Sequence, residues 1–528
     1  MLAAAALVLL NASLTFGNVW PTPKIRWESA LSIELAVCVL LLAVAHPVAA
    51  PLSRRALPAL WLVLVVGHYL DVTAPGLYGR DFNLYWDTQH LGNVAAMLSR
   101  SVPSWVIALT VLGVLGACVV AYVVARLAFG RVAAAMQHRG PRLAMGALSV
   151  AVILAFLAPM LSARLTAGVA FSDPATGAYV RQARLVLAMV GPGRAAPVLG
   201  ASPELNVDLG GLDGADVMLV FIESYGAVTY DNPQFAAALA GSRANLESAV
   251  HEAGRDAASA FVESPTFGAS SWLAHLSLMS GVKVADQYAY TSLMASDRDT
   301  IVKAFARGGY RTVALMPGMR QAWPEGAFYG FDLIYGRDAL TYEGPKFGWW
   351  SIPDQYALAK IDALERHATP RGPLFVVFPT STSHTPFGPV APYLDDWSRA
   401  LLKDAFDPAD VERAMAATPD LTNLAPSYVR AIAYEYDTLA GYVREHAGEN
   451  LVMILIGDHQ PPAAVSGANQ PHDVPVHVIA SRPALLERLH AHGFRPGLTP
   501  ERPVAGEMHA LVPALFDAFA ARKHPERR

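Results

Sequence analysis

Five apolar stretches fill the first third of the chain, at residues 2–20, 29–50, 57–74, 104–128 and 143–163. Each comes close to the roughly 20 residues that a helix needs to cross the hydrocarbon of a bilayer. Beyond residue 210 the pattern changes: short runs rich in Val, Ile, Leu and Phe alternate with segments of helical period. The runs predict strands at 217–222, 260–262, 312–316, 374–378, 451–456 and 474–479, and the segments between them predict helices at 233–254, 272–280, 298–308, 353–367 and 425–446. Strand and helix in alternation imply a largely parallel sheet between helices. The expected fold is an N-terminal multi-span α-helical membrane domain of five helices over 1–163, a linker over 164–210, and an α/β domain over 211–528.

Arginine placement orients this plan. Arg54 and Arg55 lie between the second and third spans, while Arg126, Arg131, Arg139 and Arg142 flank the connection from the fourth to the fifth. Short cationic loops stay cytoplasmic, so five spans deliver the α/β domain to the extracytoplasmic side. The first span lacks a basic leader and a small-residue cleavage site and reads as a retained helix rather than a signal peptide. In the linker, Arg164, Arg181, Arg184 and Arg194 accompany Gly-Pro-Gly at 191–193, and residues 181–190 suit a short helix lying on lipid headgroups.

With 53% hydrophobic and only 16% charged residues, the chain is too apolar for a purely soluble protein. Cys38 and Cys118 both fall within spans, so the outer domain has neither disulfides nor thiol chemistry and must be held by its core. A net charge of −4 without a basic run argues against nucleic acid as a partner. Alanine-rich, lysine-poor usage fits a bacterium, which makes the expected location an inner cell membrane with the α/β domain facing the periplasm or exterior.

The candidate chemistry collects where strands end, the place at which open α/β sheets present ligand groups. The run 217–222 delivers Glu223, and the run 451–456 leads through Gly457 into Asp458 and His459, an acid and imidazole suited to a metal. Small residues at 265–270 lead into Ser270 and Ser271, followed by an apolar helix that closes at Gly281. A serine at that helix start meets unpaired N–H groups and the positive end of the helix, which suit a phosphate; simple helix capping is the plainer alternative.

Together these segments resemble the alkaline phosphatase and sulfatase superfamily, in particular its membrane-anchored branch of lipoteichoic acid synthases and phosphoglycerol or phosphoethanolamine transferases, over nearly the whole chain. The resemblance implies one divalent ion, Mn²⁺ ahead of Zn²⁺ or Mg²⁺, held by Glu223, Ser271, Asp458 and His459. Ser271 takes the place of the nucleophile when counted back from Gly281; Ser270 fits the synthase pattern of a nucleophile followed by serine and is the alternative. Sulfatases carry a small residue and an arginine where this chain has Leu273 and His275, which argues against sulfate-ester hydrolysis. Two-metal phosphatases carry an aspartate where Thr380 stands. His384, in the Thr-Ser-Thr-Ser-His-Thr-Pro-Phe of 380–387, looks like the synthase histidine at the substrate phosphate, with the further possibility of protonating the leaving alkoxide. Arg320, Trp323, Trp349 and Asp354 resemble headgroup-pocket residues; His472 is a candidate for a second substrate, and His477 reads as a core residue of its strand.

The activity so implied moves a phosphoglycerol-type headgroup from a membrane phospholipid donor to a hydroxyl of a glycan, glycerol or lipid acceptor through a covalent serine intermediate. Phosphoethanolamine transfer and sulfate or phosphate ester hydrolysis are the alternatives.

Overall fold

The computed structural model describes all residues except 20–23, 46–54, 79–81, 90–94, 96–103, 162–169, 191–198, 320–322, 324, 349–350, 369, 421–422, 468 and 522–528. The chain divides into two compact units, one of Met1–Gly76 with Arg80–Arg194 and the other of Ala195–Arg528 with Leu77–Gly79.

In the first unit three helices are long and apolar enough to cross a membrane: Leu57–Ala74, Ser104–Ala135 and Arg139–Ala158. The first two expected spans correspond to shorter helices, Leu2–Ala12 and Ile33–Val44. At about 1.5 Å per residue these reach little more than half of a ~30 Å hydrocarbon core, and residues 46–50 of the second expected span lie outside the described residues. Residues 16–19, expected to continue the first helix, instead form β1 (Phe16–Val19), antiparallel to β2 (Lys24–Trp27). Gly17 and Asn18 favour leaving the helix there. The helix Ala175–Val190 begins before the expected 181–190 segment.

The second unit is built on a sheet of eight strands: β3 (Asp216–Ile222), β4 (Asp256–Glu263), β5 (Arg311–Met316), β6 (Leu333–Gly336), β7 (Leu374–Pro379), β8 (Leu451–Gly457), β9 (Asp473–Ala480) and β10 (Arg495–Pro496). Their spatial order is β10-β4-β9-β8-β3-β7-β5-β6. The parallel part comprises β8, β3, β7, β5 and β6. On the other side β9 is antiparallel to both β8 and β4, and β10 is antiparallel to β4. The sheet is therefore mixed and mostly parallel. Strands β6 and β10 were not anticipated, since one has four residues and the other two.

Alternation along β3 explains why the sheet is covered on both faces. Val217, Leu219 and Phe221 join one core with Leu276, Phe305 and Phe516, whereas Met218, Val220 and Ile222 join another with Leu246, Ile432 and Leu439. All seven residues of β3 and of β8 are buried. Each such large apolar side chain contributes about 1.5–3 kcal/mol relative to exposure, which makes these two central strands a rigid platform for whatever follows them.

That platform sets the site. Ile222 pairs with Gly457 in parallel register, so Glu223 and Asp458 leave neighbouring strand ends at the same level. Gly457 permits the close approach: a Cβ there would lie 1.8 Å from the Tyr225 carbonyl oxygen as the chain turns back after β3. Backbone cannot move aside as a flexible side chain would. Gly457→Ala should therefore destabilise the protein by about 3 kcal/mol or more, read as a fall in Tm of the detergent-solubilised full chain; an unchanged Tm would show that the two strand ends are not locked together.

Candidate metal and nucleophile site

Glu223, Ser271, Asp458 and His459 converge. The Ser271 hydroxyl lies 3.0 Å from Glu223 Oε2 and 3.1 Å from His459 Nε2, and His459 Nε2 lies 3.6 Å from Glu223 Oε1 and 3.8 Å from Asp458 Oδ2. Ligand atoms of Glu223, Asp458 and His459 all fall within 4.8 Å of one another, with the three residues buried. Ser271 alone of the four keeps partial exposure.

Local backbone geometry holds each group. Ser224 adopts a left-handed conformation with φ of 58°, which turns its N–H onto Asp458 Oδ1 at 2.8 Å while its hydroxyl donates to Glu223 Oε1 at 3.0 Å. The His459 N–H also donates to Asp458 Oδ1, at 2.7 Å. His459 Nδ1 sits 2.8 Å from the Gln460 carbonyl, so it carries a proton and aims the Nε2 edge of the ring at the cluster. Ser270 precedes the Ser271–Ser280 helix with φ of 70° and does not cap it through its side chain. The first N–H groups of a helix have no intrahelical acceptor, so an anion at the start of this one would be stabilised by them and by the helix dipole.

One atom is left over. Asp458 Oδ2 is fully buried and accepts no hydrogen bond, although a buried carboxylate oxygen ordinarily demands a partner. Among the described residues the ion-pair partners of Glu223 and Asp458 are histidines alone. Burial, and then the adjacent Glu223 carboxylate, push the Asp458 carboxyl up to about 6. For His459 burial opposes the charged ring, yet Asp458 and Glu223 outweigh it and raise its pKa. The cluster is short of positive charge, and its two carboxylates and one imidazole could hold a divalent cation.

His275 completes the surroundings and was not anticipated as a site residue. It lies four positions after Ser271 on the same helical face, packs on Phe221 with ring centroids 4.2 Å apart and planes tilted by 39°, and brings Nε2 to 3.8 Å from Asp458 Oδ2. Burial lowers its pKa to about 4, so it stays neutral. The i to i+4 spacing from Ser271 was the available signal.

His384 follows β7 on a short loop, its Nδ1 2.7 Å from the Thr385 carbonyl. Burial lowers its pKa, His459 lowers it further, and the Thr385 carbonyl and Asp458 act the other way. Asp354, expected in the headgroup pocket, is fully buried under this loop: it accepts the Ser381 N–H at 2.9 Å, the Thr382 N–H at 2.7 Å and the Ser381 hydroxyl at 3.1 Å. Trp323 packs on Tyr329, with centroids 5.2 Å apart. His472 packs on Phe267, 5.4 Å between centroids, and its carbonyl accepts the Ser264 N–H. His477 is buried within β9 and bonds to Tyr225 Oη and Ser259 Oγ. Arg320 and Trp349 lie outside the described residues.

Beside Asp354 sits a second buried acid, Glu435, whose Oε1 accepts the Ser383 hydroxyl at 3.2 Å and whose Oε2 has no donor to accept from. Burial and the neighbouring Asp354 raise the Glu435 pKa well above the usual range. A proton on Glu435, directed to Asp354, satisfies both groups. Because the folded-state pKa is raised, the associated stability is complete below the unfolded value of about 4.3 and is lost as pH rises toward the folded value. The Tm of Glu435→Gln relative to the parent should accordingly increase from about pH 5 to about pH 8; a difference independent of pH would remove the shared proton.

No protein-family model and no curated protein sequence matches the chain. Solved structures similar to it include the lipooligosaccharide phosphoethanolamine transferase A (EptA) of Neisseria meningitidis, 14% identical over 97% of this chain and 95% of that one, with a TM-score of 0.45. The lipoteichoic acid synthase LtaP of Listeria monocytogenes is 14% identical, covering 61% of this chain and 78% of that one at a TM-score of 0.38. The phosphoglycerol transferase GacH of Streptococcus pyogenes, in complex with sn-glycerol-1-phosphate, is 12% identical, covering 61% and 85% at a TM-score of 0.36. At 12–14% identity and TM-scores of 0.36–0.45 these likenesses are distant, and they single out no one activity. What this site does has to be read from its own atoms.

Proposed function

We propose that the chain is a membrane-tethered transferase that moves a phosphoglycerol-type headgroup from a phospholipid to an acceptor hydroxyl by way of Ser271. The observation that carries this reading is the placement of the Ser271 hydroxyl, partly exposed, 3.0 Å from a buried carboxylate and 3.1 Å from an imidazole that face the unpartnered Asp458 Oδ2. Among the described residues no carboxylate or imidazole hydrogen-bonds to the Ser270 hydroxyl. Two carboxylates, the serine oxygen and one imidazole supply three oxygens and a nitrogen, a donor set that suits Mn²⁺ or Zn²⁺. Bound there, such an ion would lower the pKa of the serine hydroxyl and offset charge on the phosphoryl oxygens.

The remaining work falls to side chains. Glu223 accepts the Ser271 hydroxyl hydrogen and orients its oxygen; the start of the Ser271–Ser280 helix offers N–H groups to the phosphoryl oxygens. In the first half-reaction the Ser271 oxygen bonds to phosphorus, the bond from phosphorus to the diacylglycerol oxygen breaks, and the proton lost by serine ends on diacylglycerol. The acceptor hydroxyl then reverses the sequence, and its proton returns to Ser271. His384, neutral and with its proton on Nδ1, would act on that acceptor as the base. Three apolar helices in the first unit keep the enzyme in the bilayer, where both the donor and diacylglycerol reside.

Incubating the solubilised full chain with headgroup-labelled phosphatidylglycerol, and in parallel with phosphatidylethanolamine, identifies the donor. Mass spectrometry should find the headgroup fragment on the peptide carrying Ser271. Ser271→Ala should reduce release by at least about 10³-fold, while Ser270→Ala keeps most of it; the opposite ranking transfers the nucleophile to Ser270. Product analysis with and without a glycan or glycerol acceptor separates transfer from hydrolysis.

Dialysis against a chelator should abolish release, and one added metal should restore it. Release that persists after complete metal removal excludes a metal-assisted reaction. Comparing Mn²⁺, Zn²⁺ and Mg²⁺ in the restoration step identifies the ion.

A further inference from the structure

The membrane-helix unit contains a cleft of about 500 Å³ unconnected with the serine chemistry. Leu35 and Val39 of the Ile33–Val44 helix line it on one side, Val8 of the Leu2–Ala12 helix on another, and Leu148 and Val152 of the Arg139–Leu161 helix on a third. Its volume falls within the ~300–1,000 Å³ of small-molecule sites. Leu35 and Val39 are buried, whereas Val8 and Leu148 are 69% and 63% exposed, which leaves the cleft open toward hydrocarbon.

One end is polar and firmly built. Asn11 Nδ2 donates to the Ala30 carbonyl at 2.8 Å, and the Ser32 N–H donates to Asn11 Oδ1 at 3.0 Å. These bonds fix residues 28–32 across the end of the Leu2–Ala12 helix. Trp27, 67% exposed, and Glu28 stand at the same mouth, and Arg26 reaches Glu28 Oε1 at 2.6 Å. An exposed indole beside an arginine marks the headgroup level of a bilayer: the ring prefers the interface and the guanidinium reaches phosphate. A Cβ on Gly146 would meet Ala43, and the cleft brings Val152 to Leu35, so the Ile33–Val44 and Arg139–Leu161 helices run antiparallel. The polar mouth thus lies toward the C-terminal end of the Arg139–Leu161 helix.

We infer that this cleft binds an acyl chain of the glycerophospholipid donor, with the lipid phosphate at Arg26 and Trp27. An apolar channel that ends in an indole, a fixed polar loop and the exposed Arg26–Glu28 pair matches an amphiphile with one hydrocarbon tail in the channel and a phosphate at its mouth that takes up the guanidinium in place of Glu28. The assignment rests on the reading of the chain as a lipid-consuming transferase and adds to it a place where the donor is held before its headgroup is transferred.

The test uses the full chain in nanodiscs of phosphatidylglycerol doped with phosphatidylglycerol that carries a diazirine in one acyl chain. Photolabel should concentrate on the peptide with Leu148 and Val152, above the label on Ser104–Ala135, whose exposed Leu109, Leu112 and Leu115 sample bulk lipid. Leu148→Trp, which fills the cleft from an exposed position, should displace that label. It should also raise the KM for the lipid donor about tenfold, roughly 1.4 kcal/mol of binding, and leave turnover of the water-soluble bis(p-nitrophenyl) phosphate unchanged. Arg26→Gln should raise the same KM with kcat preserved. Label spread evenly over the exposed helices, or a Leu148→Trp protein with the parental KM, overturns the inference. Labelling is scored without turnover, so concentrated label on a protein that transfers nothing would support the lipid site and count against the transferase reading alone.

Discussion

Two carboxylates leaving adjacent parallel strands without a Lys or Arg partner among the described residues are the constraint on which the α/β unit turns. The β3–β8 register puts Glu223 and Asp458 side by side, and burial of both strands prevents either from retreating into solvent. Like charges this close, removed from water, raise each other's cost of ionisation. Short donors meet part of that cost: the Ser224 N–H and His459 N–H serve Asp458 Oδ1, and two serine hydroxyls serve Glu223. None of them reaches Asp458 Oδ2. The strained turn at Ser224 and the close backbone approach at Gly457 both serve this convergence, so local strain is concentrated where charge is concentrated.

Much of this was legible in the sequence because it depends on continuous burial. Runs such as Val-Met-Leu-Val-Phe-Ile and Leu-Val-Met-Ile-Leu-Ile leave little choice but a central strand, and the first polar residue after each run marks its end. Direction is another matter. The run 474–479 looks like its parallel neighbours but lies antiparallel to β8 and β4, since an apolar segment buried on both faces carries no information about which way it runs. The helices at Gln287–Met294, Pro408–Ala416, Pro483–His490 and Leu511–Phe519 also went unanticipated. Pro408–Ala416 has no fully buried residue, and its stripe of Val411, Ala414 and Met415 is short and only partly covered, by the Phe347, Ala391 and Tyr434 cluster.

Two acidic residues show how motif reading and physical reading diverge. Asp354 drew attention through its likeness to a headgroup-pocket residue, yet its oxygens are spent on the backbone of the loop that carries His384. Glu435 drew none, although the sequence marked it: it occupies the apolar stripe of the Ala425–Glu445 helix with Tyr428, Ala431, Ile432, Leu439 and Tyr442. A carboxyl on a buried stripe needs a partner, and here the partner is the other acid.

The chain therefore confronts the same electrostatic problem twice and solves it differently. Around Asp354 and Glu435 packing is closed, with side chains 0% and 1% exposed, and one shared proton removes the repulsion between two carboxylates, leaving a single negative charge, without opening the structure. Around Glu223 and Asp458 a proton would satisfy one oxygen yet leave the converging lone pairs of Ser271, His459 and the second carboxylate facing one another. A divalent cation accepts all of them at once. The partial exposure of Ser271 gives that second site an opening that the first lacks, and preorganised donors around one reachable hydroxyl are the arrangement that the proposed phosphoryl transfer would use. Sealing is what separates the enclosed pair from the pair with a reachable hydroxyl beside it.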